Sequence, residues 1–247
     1  MGHDGEASGA TTKRDRTVWA CSAVIGLLAL IGCATFGETE ATLLPAPGHA
    51  ISAGSSLTVQ GRGGLLVIAD GDTWQGSPEN LSTLATPVWV TLKNLSHDSL
   101  QIRYGEFGLD GQSGTEYRVL TPYTTQTDAL RHKATGPNPA YFDGFYVADY
   151  LAPIYPGLPV WQAPLDYRRS HHPVDWGQNM PTASMIGQAL PEGVLGPGGR
   201  ASGFLYFQKL SPQEKAVSLR AHIQTVPQEH QPSTQVAAID IPFRVIR

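Results

Sequence analysis

From residue 57 onward, apolar residues recur at every second position far more often than at the spacing of a helix face. Leu57 and Val59, the run Leu65-Leu66-Val67-Ile68, and Pro87-Val88-Trp89-Val90-Thr91-Leu92 are β-type segments, interrupted by Gly61, Gly63 and Gly64. The turn cluster Asn94 to Ser99 joins the Val88/Val90/Leu92 face to Leu100, Ile102 and Tyr104. That pattern predicts an antiparallel hairpin whose apolar sides share one core. Phe107 and Leu109 continue it, Asp110-Gly111-Gln112-Ser113-Gly114 supplies turn residues, and Tyr117 with Val119 forms the next short strand.

The C-terminal end follows the same grammar. In Ala201 to Gln208, Phe204 and Tyr206 oppose Leu205 and Phe207, so both faces are apolar and the strand is expected to be central or covered on each side. Val217, Leu219, Ala221 and Ile223 alternate with Ser218, Arg220 and His222, a half-exposed strand. Ile239, Ile241 and Phe243 form the last, which Pro242 marks as an edge or a bulge. Short strands, Gly/Pro turns and almost no helical period predict an all-β fold, an antiparallel β-sandwich.

The N-terminal segment is different. Val18 to Gly32 carries no charge and is too short for the ~18 to 20 apolar residues that span a bilayer, and it follows Lys13, Arg14 and Arg16. It reads as a targeting segment ending in Leu30-Ile31-Gly32-Cys33. This tetrad resembles the lipobox of bacterial lipoproteins, in which Leu30, Ile31 and Gly32 would be signal-peptidase recognition residues. The thiol of Cys33 would then be diacylglyceryl-modified and become residue one of the mature chain. Several acyl chains anchor stably where one is marginal. Ala34 is not the aspartate that in such lipoproteins often retains the product in the inner membrane, so the resemblance implies the periplasmic face of the outer membrane. The expected organisation is a signal peptide over 1–32, a tether over 33–50 and one β-sandwich domain over 51–247.

Composition fits export. Of the two cysteines, Cys21 lies in the leader and Cys33 would be lipidated, leaving no disulfide to the domain. The chain has 17 basic and 21 acidic residues, three of each within the first 32, so the remainder keeps a net charge of −4. That balance shows no nucleic-acid footprint.

VWVTLKNLSHDSLQIRYGEFGLDGQSGTEYRVL and the later GPGGRASGFLYF resemble the immunoglobulin-like domain of bacterial lipoproteins and surface proteins, over residues 86–121 and 194–224. The resemblance implies a fold and no reaction. Residues 122–196 intervene as a long insertion rich in proline and aromatics. Its prolines predict neither a long helix nor a central strand. The expected structure is a loop-rich excursion packed by its own aromatics over one sandwich face. One short helix is expected in Pro181 to Leu190, with Met185, Ile186 and Leu190 on one side and Pro191 ending it. Tyr146, Tyr150, Tyr155, Trp161 and Trp176 are the candidate recognition surface, because Tyr and Trp give large contact area at low entropic cost.

Other chemistry is sparse. His171 and His172 are the nearest approach to a metal site, but adjacent histidines diverge on an extended chain and zinc-type spacings are missing, so solvated loop histidines are expected. Asp70-Gly71-Asp72 lacks the remaining ligands of a calcium loop and reads as a turn. Asp149 and Asp166 are a carboxylate pair of the kind any chain this long offers. No nucleophile elbow, zincin motif or P-loop is present. The sequence thus predicts a lipid-anchored envelope protein, non-catalytic and without cofactor, that serves an interaction or envelope-assembly role. Its expected partners are the membrane through the lipid and an envelope protein or glycan. A ligand- or metal-binding lipoprotein is the alternative, and a hydrolase the remote one.

Overall fold

The computed structural model describes residues 40–52, 55–123, 138–169, 176, 180–227 and 233–247. The lipobox residues Leu30, Ile31, Gly32 and Cys33 lie outside them, as do His171 and His172. Within the described residues the fold is all-β, an antiparallel sandwich curled nearly into a barrel. Its strands are β1 (Thr42–Pro45), β2 (Leu57–Arg62), β3 (Leu65–Asp70), β4 (Ala85–Asn94), β5 (Leu100–Ile102), β6 (Phe107–Gly111), β7 (Glu116–Arg118), β8 (Phe142–Ala148), β9 (Val160–Trp161), β10 (Gly193–Gln208), β11 (Ala216–Thr225) and β12 (Gln235–Ile246). Two short helices accompany them, α1 (Leu165–Arg169) and α2 (Ala183–Gln188).

The sheet runs β1-β12-β11-β5-β10-β4-β3-β2. Leu43 of β1 bridges to Gly71 just beyond β3, which draws the two sides of the sandwich together. A Cβ on Gly71 would lie 2.3 Å from that of Leu43, so only glycine permits this closure. Thr42–Pro45 therefore belongs to the sandwich, not to the tether expected over 33–50. Its short Thr-Leu-Leu run buries Leu43 completely, a contact that four residues of sequence pattern do not announce.

β10 is the spine, and its alternating faces explain why. Leu205 and Phe207 enter the main core with Val88, Val90, Leu92, Leu219 and Ile241. Phe204 and Tyr206 point the other way, into a second cluster with Leu81, Met185 and Ala189. The expectation of a strand covered on both faces is met. The strand is twice the predicted length because Gly193–Leu195 also pairs, with β5 and β8, and continues through a bulge to Arg200.

The expected hairpin between the 88–92 and 100–104 runs does not form. β4 pairs with β10 from Ala85↔Gln208 to Lys93↔Arg200, and β5 pairs with the same strand from Leu100↔Leu195 to Ile102↔Gly193. The two are successive pieces of one edge of β10, separated by the turn at 95–99, and alternation alone cannot distinguish mutual partners from two users of a third strand. Asn94 fastens the break. Its Nδ2 donates to the carbonyls of Asp98 (2.7 Å), Leu195 (3.1 Å) and Gly196 (3.0 Å), while its Oδ1 accepts from the N–H and hydroxyl of Ser96.

Pro242 behaves as an end-of-ladder proline. Its carbonyl accepts from Ala46 N–H at 3.0 Å on the β1 side, just past the last β1 pair at Phe243, so the missing donor faces the side where the ladder stops. In β2 the inward residue is Thr58, whose hydroxyl donates to the His49 carbonyl at 2.9 Å, and Leu57 and Val59 face outward.

Candidate functional site: the aromatic insertion

The region 122–196 is not only an excursion. Phe142–Ala148 forms β8, hydrogen-bonded to β10 on one side and, in parallel, to β9 on the other. Phe145 and Val147 alternate into the main core between flanking prolines at 139 and 153, which bound a strand without interrupting it. This corrects the expectation that the prolines leave no interior strand. The helix is as expected in kind: α2 is capped by Thr182, whose side chain accepts from Met185 N–H at 3.2 Å, and Met185, Ile186 and Leu190 are buried. After it, Leu190 N–H donates to the Phe204 carbonyl at 2.9 Å. A Cβ on Gly203 would come within 2.4 Å of Leu190 N, so glycine is what lets this segment lie on the spine.

The insertion is fastened by phenols. Tyr104 donates its hydroxyl to the Leu190 carbonyl (2.7 Å), and its oxygen lies 2.5 Å from the Tyr123 hydroxyl. Since the Tyr104 proton goes to Leu190, Tyr123 is the donor of that second bond. Tyr155 lies 3.3 Å from Tyr123 and the same distance from the carbonyls of Ile186 and Ala189. Tyr167 donates to Ile102 carbonyl at 2.5 Å, and Tyr206 to Met185 carbonyl at 2.9 Å. At the centre is Glu192, only 2% exposed: one oxygen accepts from Tyr104 N–H and the other from the Tyr150 hydroxyl, each at 2.8 Å. Burial pushes the phenols of Tyr104, Tyr123, Tyr155, Tyr167 and Tyr206 above their ordinary range. It does the same to Tyr150, where the charge of Glu192 adds to it.

The five recognition candidates separate accordingly. Tyr155 is 1% exposed and belongs to the interior, which removes it from any surface. Tyr150 is half-buried and directed at Glu192. Trp176 is half-buried over Tyr206, with its indole N–H donating to Thr121 carbonyl at 2.8 Å. Tyr146 is 45% exposed. Trp161 is half-buried, packed against Ala148 and Ala163 and edge to face on Tyr167, whose ring Arg103 covers at 4.7 Å. Ala148 pairs with Trp161, and Tyr146 stands two residues earlier on the same face, so Tyr146 and Trp161 project from one surface. Val160, 46% exposed, pairs with Val147 and so faces the opposite side of β9 from Trp161, and Leu165 is 69% exposed on α1; neither was anticipated.

Sequence reasoning also passed over Glu192. Its signal was present: an acid between Leu190-Pro191 and Gly193-Val194-Leu195 is surrounded by residues that go inside.

The remaining candidates resolve locally. Asp70 accepts from Asp72 N–H and from the Ser56 hydroxyl, each at 3.0 Å, so Asp70-Gly71-Asp72 is a turn. Asp149 is ion-paired to Arg168, and Asp166 is exposed on α1. A cleft of about 110 Å³ beside β1 is lined by Glu40, Asp72, Trp74 and Glu79, whose carboxylates are exposed. Among the described residues no group of three or more His, Cys, Asp or Glu is placed to hold a metal ion. No family model matches this chain, and no curated protein or solved structure matches it either.

Proposed function

We propose that this is a lipid-anchored protein of the bacterial cell envelope, whose immunoglobulin-like sandwich presents a small aromatic surface to an envelope protein or glycan and performs no catalysis itself. The carrying observation is that Tyr146 is the exposed aromatic among the described residues of the insertion, and that the half-buried Trp161 stands on the same face of β8–β9. Aromatic side chains left outside a densely satisfied interior are the residue types that dominate interface energies. The buried polar side chains support the same reading. Glu192, Asn94 and Asp70 spend their hydrogen-bonding capacity on backbone and neighbouring side chains, which is structural work. The tetrad Leu30-Ile31-Gly32-Cys33 supports the address.

Point substitutions test this better than deletion, because 122–196 contains β8, both helices and the first residues of β10. The variant Tyr146→Ser, in the full chain, is expected to lose partners recovered by in-membrane crosslinking while keeping its thermal unfolding transition. Unchanged recovery from a folded variant would refute the surface. Cys33→Ser is expected to release the protein from the membrane fraction; undiminished membrane partition would refute the anchor.

A further inference from the structure

The strand registers define the two ends of the sandwich. Thr42, Ala85, Gln208, Ala216 and Ile246 lie toward one end, and Leu65, Asn94, Leu100 and Leu195 toward the other. Nine residue steps of β4 separate them, about 30 Å at strand rise. The described chain begins at Glu40, at the first end, and seven residues beyond Cys33 can reach no more than about 25 Å.

That first end is electrostatically divided. On the β3 side are the exposed carboxylates of Glu40, Asp72 and Glu79. On the β11–β12 side Ile246, 41% exposed, shares β12 and its end with the exposed Arg244 and Arg247, with the exposed Lys215, just before β11, opposite Val245 and Glu40 just ahead of Thr42, the partner of Ile246. Val245 N–H donates to the Lys215 carbonyl at 2.8 Å, and the Arg247 guanidinium donates to the carbonyls of Ser211 and Glu214, so these residues are held together as one rim. An exposed aliphatic side chain on a rim that carries three cations is suited to the surface of an anionic bilayer, where each Lys or Arg adds to the attraction.

Resting on the lipidation of Cys33 proposed above, we infer that the domain lies against anionic headgroups through the Lys215/Arg244/Ile246/Arg247 rim. The Tyr146–Trp161 face is then held at the end away from the lipid. Tyr146 pairs with Val194, next to Leu195 and the Asn94 turn, which places it at that far end.

The test uses the full-length acylated protein in vesicles containing phosphatidylglycerol and a nitroxide lipid. A fluorophore is attached through Gln213→Cys, on the rim loop, or His97→Cys, in the far turn; with Cys33 acylated, each is the sole reactive thiol of the processed chain. Quenching is expected to be several-fold stronger at 213 than at 97. That difference should be lost with Lys215→Glu/Arg244→Glu or in zwitterionic vesicles. Equal quenching at the two sites, or stronger quenching at 97, overturns the orientation while leaving the anchor intact. An intact mass showing unmodified Cys33 overturns the anchor and the orientation with it.

Discussion

The sandwich and the insertion are held by different chemistry, and β10 shows both at once. Its inner face, Leu205 and Phe207, packs against aliphatic residues of β4, β11 and β12 and involves no side-chain hydrogen bond. Its outer face, Phe204 and Tyr206, meets Trp74 and Trp89 edge to face, at 5.0 Å to Phe204 in each case, and uses Tyr206 to hold Met185 carbonyl. A sheet satisfies its own backbone through its ladder; an irregular segment cannot, and its buried carbonyls need donors from elsewhere. Here Tyr and Trp supply them: Tyr104 to Leu190, Tyr167 to Ile102, Trp176 to Thr121 and Trp74 to Pro78. Aromatic richness in a proline-rich stretch thus reports chiefly on how loops are tied down, and only where a ring stays outside does it point to recognition.

If phenol donors hold the insertion, alkali should attack it first and most severely. The folded phenols of Tyr104, Tyr123, Tyr150, Tyr155, Tyr167 and Tyr206 are raised above the unfolded value near 10, so above that pH the native state retains protons the unfolded chain releases. Stability is therefore full below pH ~10 and falls above it, by about 1.4 kcal/mol per pH unit for each such group. Six groups exhaust a typical stability of about 5–15 kcal/mol within one to two units. Tyrosinate absorbance from these six is expected to rise in one step with loss of the β signal. A gradual rise of all nine tyrosines near pH 10, with the sheet intact, would show that the phenols are not the fastening.

The inner face should fail through volume instead. Phe207→Ala is expected to cost about 3–5 kcal/mol, the range for an aromatic removed from a packed core. The loss should be independent of pH below 10, measured by denaturant unfolding.

This contrast also explains which parts could be read in advance. Alternation announced β4, β10, β11 and β12, because a half-buried strand writes its two faces into its sequence. It could not assign partners, so β4 and β5 read as a hairpin when both in fact line β10. β8 was obscured by its prolines although Phe145 and Val147 keep the period. Within the candidate site the sequence located the aromatics but not their direction: Tyr146 and Tyr155 look alike in the chain, and only the carbonyls of Ile186 and Ala189, over thirty residues away, draw Tyr155 inside.

The two chemistries meet at Asn94, where one amide bridges the turn after β4 to Leu195 and Gly196 on the spine. Asn94→Ala removes the donor to three carbonyls, two of them in buried contacts, and is expected to cost about 2–3 kcal/mol through their desolvation. Ser96→Ala, which leaves those carbonyls served, should cost less in the same unfolding assay. Equal losses would mean that the turn, not the bridge to β10, is what Asn94 secures.

Tyr150→Phe is the mildest of these changes and the sharpest probe of whether the two regions are separable. It removes one hydroxyl donor to the Glu192 carboxylate and alters no packing volume, so the expected loss is about 1.5 kcal/mol. What matters is where that loss appears. Glu192 joins the turn at 149–151 to Tyr104 N–H and the start of β10, and none of its hydrogen bonds described above reaches β12 or β1. Amide exchange should accordingly quicken at Val147 and Ala148, whose N–H groups donate to the Pro159 and Glu192 carbonyls, while the β11–β12 ladder keeps its protection. Faster exchange across both ladders in equal measure would show that the insertion and the sandwich open as one unit. The aromatic fastening would then be part of the global fold, not a local tether for the surface that Tyr146 and Trp161 share.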